Sequence, residues 1–368
     1  MADKIRVACV QLTSGRDKGA NLEKAERLTA EAASTGADVI ALPEKWNAIG
    51  PPETLHEAAE TIEDGESVRA MREWARRHGV TLVGGSITER REGREKLSNT
   101  CLVFDPEGEL TATYRKIHLF DVEVGGLTYR ESEAEEHGEE PVVAEVEGWP
   151  VGLTICYDLR FPELYRVLAL EGALLATVPA HFTLYTGKDH WHLLLRSRAV
   201  ENGFYVAAPA QVGETGIGRP SYGRSLIVDP WGTVLAQAPD EETVISAELD
   251  RAWLEEVRRR LPSLAARRPE AYRWPTPALP FALSSSTSTS RWSSRGPTSG
   301  RRGTSCSGVG SASSSIPRAM PRPALLLSRR SSSIPSSITT RRSGSSSRSG
   351  SSVGWEAIPI ERTSAPSR

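Results

Sequence analysis

Cys156 stands in GLTICYDLRFPE, where an apolar, strand-like run gives way to a helix-like one. A thiol at such a junction is held rigidly beside the first backbone N–H groups of the helix, which lower its pKa and can receive a developing oxyanion. That is the placement of a nucleophile. Tyr157, Asp158, Arg160 and Glu163 crowd polar groups around the end of a core strand, a costly arrangement unless it lines a site. Cys9 and Cys101 lie inside strand-like runs and read as buried structural thiols. Two more reactive side chains close strand-like runs, Glu44 in ADVIALPE and Lys116 in ELTATYRKIHL. Covalent attack by a thiol on a carbonyl carbon needs a group that moves protons and a cradle for the developing oxyanion. Taken singly, a Glu ending a strand is usually a solvated carboxylate and a Lys after one a surface charge. The trio has meaning only if the fold brings it together.

The elements that must do so follow from periodicity. Residues 5–13 alternate apolar and polar side chains as a strand does, and Asn21–Ala33 repeat apolar residues at helical spacing before Gly36. ADVIALPE reads as a strand buried on both faces, Ser67–His78 as a helix closed by Gly79, and TLVGGSITER as one further strand. Gly84-Gly85 within it marks close backbone packing and is no nucleotide loop. NTCLVFDPEG and ELTATYRKIHL form a hairpin around Asp105-Pro106-Glu107-Gly108, with Lys116 at its close. After a polar segment, Gly125–Pro141, come VVAEVEGWPVGLTICYD, the helix FPELYRVLALEG, the strand ALLATVPA, a helix opened by His190 and Trp191, the strand FYVAAPAQ, the hairpin SLIVDPWGTVLAQ, the strand TVISAELD and the helix WLEEVRRRL. Strands thus arrive in adjacent pairs between helices. That order suits two mixed sheets packed face to face with helices outside, a four-layer αββα sandwich.

Composition sets the limits. The 368-residue chain has a net charge of −2, but thirteen arginines, no lysine and only Glu356 and Glu361 fall after residue 283, leaving 32 basic against 45 acidic residues before it. The acidic body carries no nucleic-acid footprint. No window approaches the ~20 apolar residues of a membrane helix, and the first residues are too short and too alternating for a signal peptide, so a cytoplasmic protein is expected. The four cysteines are widely spaced, with no histidine at metal-ligand spacing, and neither a disulfide framework, a metal site nor a cofactor is indicated. The organisation expected is a catalytic domain over 1–280 and a Ser/Arg-rich, low-complexity segment over 281–368 without the apolar content for a core. Its abrupt onset after a well-formed helix fits an out-of-frame reading of GC-rich DNA. Tail peptides in a digest of the native protein would refute that origin.

Together the motifs carry a resemblance. Glu44 in ALPE, Lys116 in YRKIHLFD and Cys156 in ICYDLRFPE, with HWHLLLRSRAVEN and SYGRSLIVDPWGTVLAQ downstream, resemble the carbon-nitrogen hydrolase (nitrilase-like) superfamily over roughly residues 4–275. The resemblance implies a Glu-Lys-Cys triad on an αββα sandwich, and a second glutamate near the nucleophile, matched by Glu131 in TYRES. CYDLRFPE is similar to the amidase branch related to omega-amidase and deaminated glutathione amidase, which implies ammonia release from a small linear carboxamide through a thioester and assembly into a homodimer or larger homo-oligomer. Lys116 and the backbone N–H of Tyr157 would hold the oxyanion. Glu131 would position substrate or water, or hold Lys116 by a salt bridge. Phe182, His190 and Trp191 shape the pocket or belong to the core. His118 offers a Cys-His dyad only if its strand stays regular, and the resemblance argues against a histidine base. Three departures bear on specificity: Lys45 in PEKW, Gly125-Gly126 where Pro-Gly is usual, and Arg224 in SYGRS where relatives usually have His. The rival readings are an N-carbamoyl amino-acid or ureido hydrolase with the same trio, a non-catalytic scaffold, and a thiol redox sensor, for which no resolving cysteine is near.

Overall fold

The computed structural model describes residues 2–272. The first half of this body runs β1 (Lys4–Gln11), α1 (Lys18–Ser34), β2 (Val39–Ala41), α2 (Pro52–Ala58), α3 (Glu66–His78), β3 (Thr81–Val83), β4 (Ile87–Glu89), β5 (Ser98–Phe104), β6 (Leu110–Arg115), and the hairpin β7 (Asp121–Val124) and β8 (Leu127–Arg130). The second half runs β9 (Val142–Val146), β10 (Trp149–Leu153), α4 (Pro162–Leu170), β11 (Leu175–Thr177), α5 (Leu184–Asn202), β12 (Tyr205–Ala208), β13 (Val212–Glu214), β14 (Pro220–Tyr222), β15 (Leu226–Val228), β16 (Val234–Gln237), β17 (Thr243–Asp250) and α6 (Arg251–Arg260). The boundary expected at 280 and the segment 281–368 lie outside the described residues.

Two large sheets result. One has the order β17-β1-β2-β3-β5-β4, with β6 also on β5; the other has the order β16-β15-β12-β11-β10-β9. In each, a central parallel trio, β1-β2-β3 or β10-β11-β12, is flanked by antiparallel strands. Strand alternation decides what each face meets. Ile5, Val7 and Cys9 of β1 point to the second sheet and pack with Val151, Leu153, Leu175 and Val206, whereas Ala8 and Val10 point outward to Leu28 of α1 and Met71 and Trp74 of α3. On the far side, Tyr165 and Leu168 of α4 and Trp191 and Leu195 of α5 cover the second sheet. The chain is the expected αββα sandwich.

The helix ends have local causes. The Asp17 carboxylate accepts from the Ala20 N–H at 3.1 Å and starts α1, and Gly79, at φ 60°, closes α3 as its position suggests. Helix α5 begins at Leu184, capped by Thr183, so His190 and Trp191 sit inside it instead of opening it. TLVGGSITER is likewise two short strands, because Gly84-Gly85 interrupt it. The polar stretch from Gly125 contains the turn and second strand of the β7–β8 hairpin, then a single 3-10 turn at Glu131–Glu133. Among the described residues no helix is long and apolar enough to cross a membrane.

Candidate active site

Each reactive side chain hangs just beyond the end of a strand. Glu44 lies three residues past β2, and its loop is seated against the Gly84-Gly85 break: Pro43 O accepts from the Ser86 N–H at 3.2 Å, and a Cβ on Gly85, at φ 61°, would lie 2.1 Å from that oxygen. Only glycine permits this approach. Lys116 directly follows β6, and its N–H donates to Asn99 O of β5 at 2.9 Å. Cys156 follows β10 at φ 49°, left-handed backbone that costs a non-glycine residue about 1–3 kcal/mol and survives only where the surroundings impose it. They do so here. The Cys156 N–H donates to Pro179 O at 2.8 Å, and the Ile155 N–H to Asp158 Oδ2 at 2.8 Å. Asp158, fully buried, also accepts from the Tyr114 hydroxyl at 2.7 Å and the His118 N–H at 3.1 Å. Asp158 is therefore an internal anchor, and Glu163, also expected to crowd a site, faces solvent.

The fold draws four groups into one cluster. Lys116 Nζ lies 2.9 Å from Glu44 Oε1 and 2.8 Å from Glu131 Oε2. The Glu44 carboxylate also accepts from Asn99 Nδ2 at 2.9 Å and from the His181 N–H at 2.8 Å, and the Cys156 thiol lies close enough for the two groups to act on each other's protonation. Glu131 is steadied by the Phe120 N–H at 2.7 Å. Burial works against every charge, yet the ions correct one another. It pushes the Glu44 carboxyl up and is the largest single influence there, but Lys116 and Lys45 act together against it and the group ends below its ordinary value. Burial lowers the Lys116 ammonium, and Glu131 with Glu44 raises it well above the ordinary lysine range. Lys116 and Lys45 overcome burial at Glu131 in the same way and keep it ionised.

Cys156 departs from expectation. Its thiol is pushed well up, first by burial, then by the charge of Glu44, and the Lys116 ammonium only partly offsets them. The segment Cys156–Arg160 is one short 3-10 turn, with α4 starting later, so no long helix aims its N-terminus at the sulfur. The resting site holds a protonated thiol against a carboxylate that can receive its proton.

These groups lie at the base of a cavity of about 620 Å³ whose wall includes Tyr157, Phe182, Arg160, Tyr129, Arg219 and Lys45. Tyr157 and Phe182 line it as expected, with the Arg160 guanidinium 5.9 and 5.5 Å from their ring centres. His190 and Trp191 do not. His190 Nδ1 takes Arg160 Nη1 at 3.3 Å, so it braces a wall residue from behind, and Trp191 is wholly buried beneath Phe182, with its ring N–H on Arg224 O. Arg224 faces a smaller, separate cavity and pairs with Asp240, and Gly125 forms the β7–β8 turn away from the wall. His118 stacks on Phe161 and pairs with Asp158 at 2.7 Å, leaving it no role as base to Cys156. Sequence reasoning missed Asn99, Glu135 and His181. Asn99 and Glu135 gave no signal, being single polar residues in ordinary runs; His181, just past the β11 strand run, had the strand-end position that singled out Glu44.

An αββα sandwich with a cysteine, a lysine and two carboxylates at its strand ends defines a nitrilase-fold hydrolase. The comparisons agree: residues 6–259 match the family model described as carbon-nitrogen hydrolase, and the chain belongs to that family as a hydrolase of carbon-nitrogen bonds. It is 42% identical over 270 residues to omega-amidase NIT2 of Danio rerio, covering 73% of this chain and 96% of that one. The identity to omega-amidase NIT2 of Homo sapiens is 40% over 268 residues, 73% and 96% of the two chains. Among solved structures, Saccharomyces cerevisiae Nit3, a member of branch 10 of the nitrilase superfamily, superposes with a TM-score of 0.67 at 33% identity, covering 74% of this chain and 98% of that one. A double mutant of the amidase from Nesterenkonia sp. AN1 in complex with acrylamide has a TM-score of 0.62 at 29% identity, covering 73% and 96%.

Proposed function

We propose that this protein is a cysteine-dependent amidase that hydrolyses a small linear carboxamide bearing a carboxylate, such as the ω-amide of a 2-oxo acid or deaminated glutathione. The observation that carries the reading is the Cys156 thiol set beside Glu44, which is itself ion-paired to Lys116, with all three in the lining of one cavity. Cys156 Sγ attacks the amide carbon while Glu44 takes the thiol proton; Lys116 and the Tyr157 N–H receive the oxyanion, each well-placed donor contributing about 3 kcal/mol. Glu44 then passes the proton to the amide nitrogen, the C–N bond breaks, and ammonia leaves a thioester on Cys156. Water gives a proton to Glu44 and attacks the thioester, the C–S bond breaks, and the acid departs as the thiol recovers its proton. Glu131 holds Lys116 in place throughout.

A carboxylate on the substrate has a reception in the cavity wall. Arg16, Arg160 and Arg219 line it, and none has a carboxylate partner among the described residues. A guanidinium that lines a cavity without a carboxylate partner favours an anionic ligand. Leu170, Leu193 and Val200 leave apolar side chains exposed on α4 and α5, which supports self-association into a homodimer or larger homo-oligomer. The reading also includes a cytoplasmic location and no cofactor.

The test is ammonia release from a panel of ω-amides of 2-oxo acids, deaminated glutathione, N-carbamoyl amino acids and simple nitriles. Intact-protein mass spectrometry at short times reads the acyl adduct on Cys156. Turnover confined to carboxyl-bearing amides, with the adduct, is expected. Full activity in Cys156→Ser, or turnover of nitriles alone, would refute the proposal.

A further inference from the structure

The cluster does not end at Glu131. Lys45 Nζ lies 3.3 Å from Glu131 Oε1 and 2.7 Å from Glu135 Oε1, so the groups form an unbroken chain, Glu44–Lys116–Glu131–Lys45–Glu135. Glu135 has no exposed side-chain surface and Lys45 almost none. Both positions are imposed by backbone. Lys45 occupies left-handed backbone at φ 49°, with its N–H on Ser86 Oγ at 3.0 Å. Glu135 is fixed by its N–H on Glu131 O at 3.0 Å and by a bridge to Leu97. A buried ion pair contributes little net stability compared with apolar residues of the same size. Two charges placed against a reactive cluster therefore call for a reason other than stability.

We infer that Lys45 and Glu135 form a second buried acid–base pair that positions Glu131, and through it Lys116, for the amide hydrolysis proposed above, on which this inference rests. Glu131 is shared between two ammonium groups. Lys45 draws on part of its negative charge and leaves Lys116 less neutralised, with more of its field for Cys156 and the oxyanion. Glu135 pins Lys45 and keeps it from swinging into the cavity. Neither Glu135 oxygen has an aligned hydrogen-bond donor among the described residues, Lys45 Nζ meeting Oε1 as an ion pair at 2.7 Å, and the neighbouring carboxylate Glu131 can only accept. Glu135 therefore bonds Glu131 only when it carries a proton itself.

Three charged groups act on Glu135: Lys45, Glu131 and Lys116. Burial, then Glu131, push its carboxyl up, against the pull of Lys45 and Lys116, to about 7. With Glu135 protonated, Glu44 and Glu131 balance Lys45 and Lys116. Its ionisation adds one uncompensated negative charge, competes for Lys45 and disfavours both the Cys156 thiolate and the oxyanion. Activity is expected to fall as pH rises through 7 for this reason.

Two readouts test the pair. The first is alkylation of Cys156 by iodoacetamide, followed by peptide mass spectrometry, which needs no substrate and is resolved from the fully buried Cys9 and Cys101. The ratio of the Glu135→Gln rate to the wild-type rate is expected near one below pH 6 and about threefold above pH 8, as one added charge in a partly screened site requires. The second is turnover. Glu135→Gln should lose the descending step near pH 7 in kcat/KM. The double variant Lys45→Met with Glu135→Leu, which removes both members of the pair and leaves Glu131 to Lys116 alone, should lose about tenfold in kcat with KM nearly unchanged, and Lys45→Arg alone should retain most activity. A double variant with wild-type kcat, or a flat alkylation ratio, overturns the inference. Should wild-type protein hydrolyse no amide, the amidase reading fails by itself, and the alkylation ratio still decides the pair.

Discussion

Replacing Glu44 by Gln should move two activities of Cys156 in opposite directions. Gln is isosteric with Glu44 and keeps one oxygen for Lys116 Nζ and Asn99 Nδ2, each at 2.9 Å, while its amide nitrogen replaces the oxygen that accepts from the His181 N–H at 2.8 Å. What disappears is a negative charge in contact with the Cys156 thiol, the second cause, after burial, that keeps the proton on sulfur. Lys116, meanwhile, loses one of its two carboxylates and acts more strongly on the sulfur. A unit charge at hydrogen-bond range is worth about 4 kcal/mol in a site of intermediate polarity. If a third of that survives screening, the thiolate fraction and the rate of alkylation by iodoacetamide at pH 7 rise about tenfold. Amide hydrolysis loses the carboxylate that, among the described residues, acts on the thiol, and should fall by about a thousandfold or more. Both are measurable on one preparation: alkylation by loss of the free Cys156 peptide, hydrolysis by coupled ammonia detection. Slower alkylation in Glu44→Gln would refute the reasoning, because Glu44 would then be creating the thiolate at rest instead of awaiting its proton.

Three further outcomes follow from the same structure. Asp158→Ala strips acceptors from the Ile155 N–H and the Tyr114 hydroxyl in a dry interior, and should cost about 3 kcal/mol, lowering Tm by about 6–12 °C, as calorimetry would show. It should also depress kcat in whatever protein stays folded, since the left-handed turn at Cys156 loses its clamp. Arg160→Gln should raise KM for carboxyl-bearing amides about tenfold or more and leave neutral amides nearly untouched; an equal effect on both in steady-state assays would remove Arg160 from substrate recognition. Burial lowers the His181 imidazole from 6.5 to about 4, so the unfolded chain binds the extra proton between those values. Its contribution to stability is complete above about pH 6.5 and lost as pH falls toward 4. His181→Asn should flatten the acid side of a Tm-against-pH curve relative to wild type, and an unchanged slope would count against it.

Periodicity and punctuation carried most of the fold. Strands and helices announced themselves because one face of each must be buried, and pairs of strands between helices are enough to favour two sheets over a barrel. The errors fell where short-range contacts override pattern: Gly84-Gly85 breaks a strand because Pro43 must come close, and Thr183 starts α5 earlier than its apolar spacing shows. For the site, residue type and position at strand ends singled out Cys156, Glu44 and Lys116, since strand ends are where a sheet exposes chemistry. Proximity was another matter. Nothing local in the chain says that Glu44, Lys116 and Glu131, separated by up to 87 positions, share one ammonium group, or that Lys45 has a buried partner at Glu135. Nor does it reveal the protonation of Cys156. A thiol pKa depends on burial and on charges summed over space, and at Cys156 the sandwich supplies a desolvated pocket and the Glu44 carboxylate, which together reverse what a strand-to-helix junction alone would do. The sequence by itself determined the inventory of reactive groups and the layers that carry them. Tertiary packing decided which of those groups touch, and therefore where each proton rests.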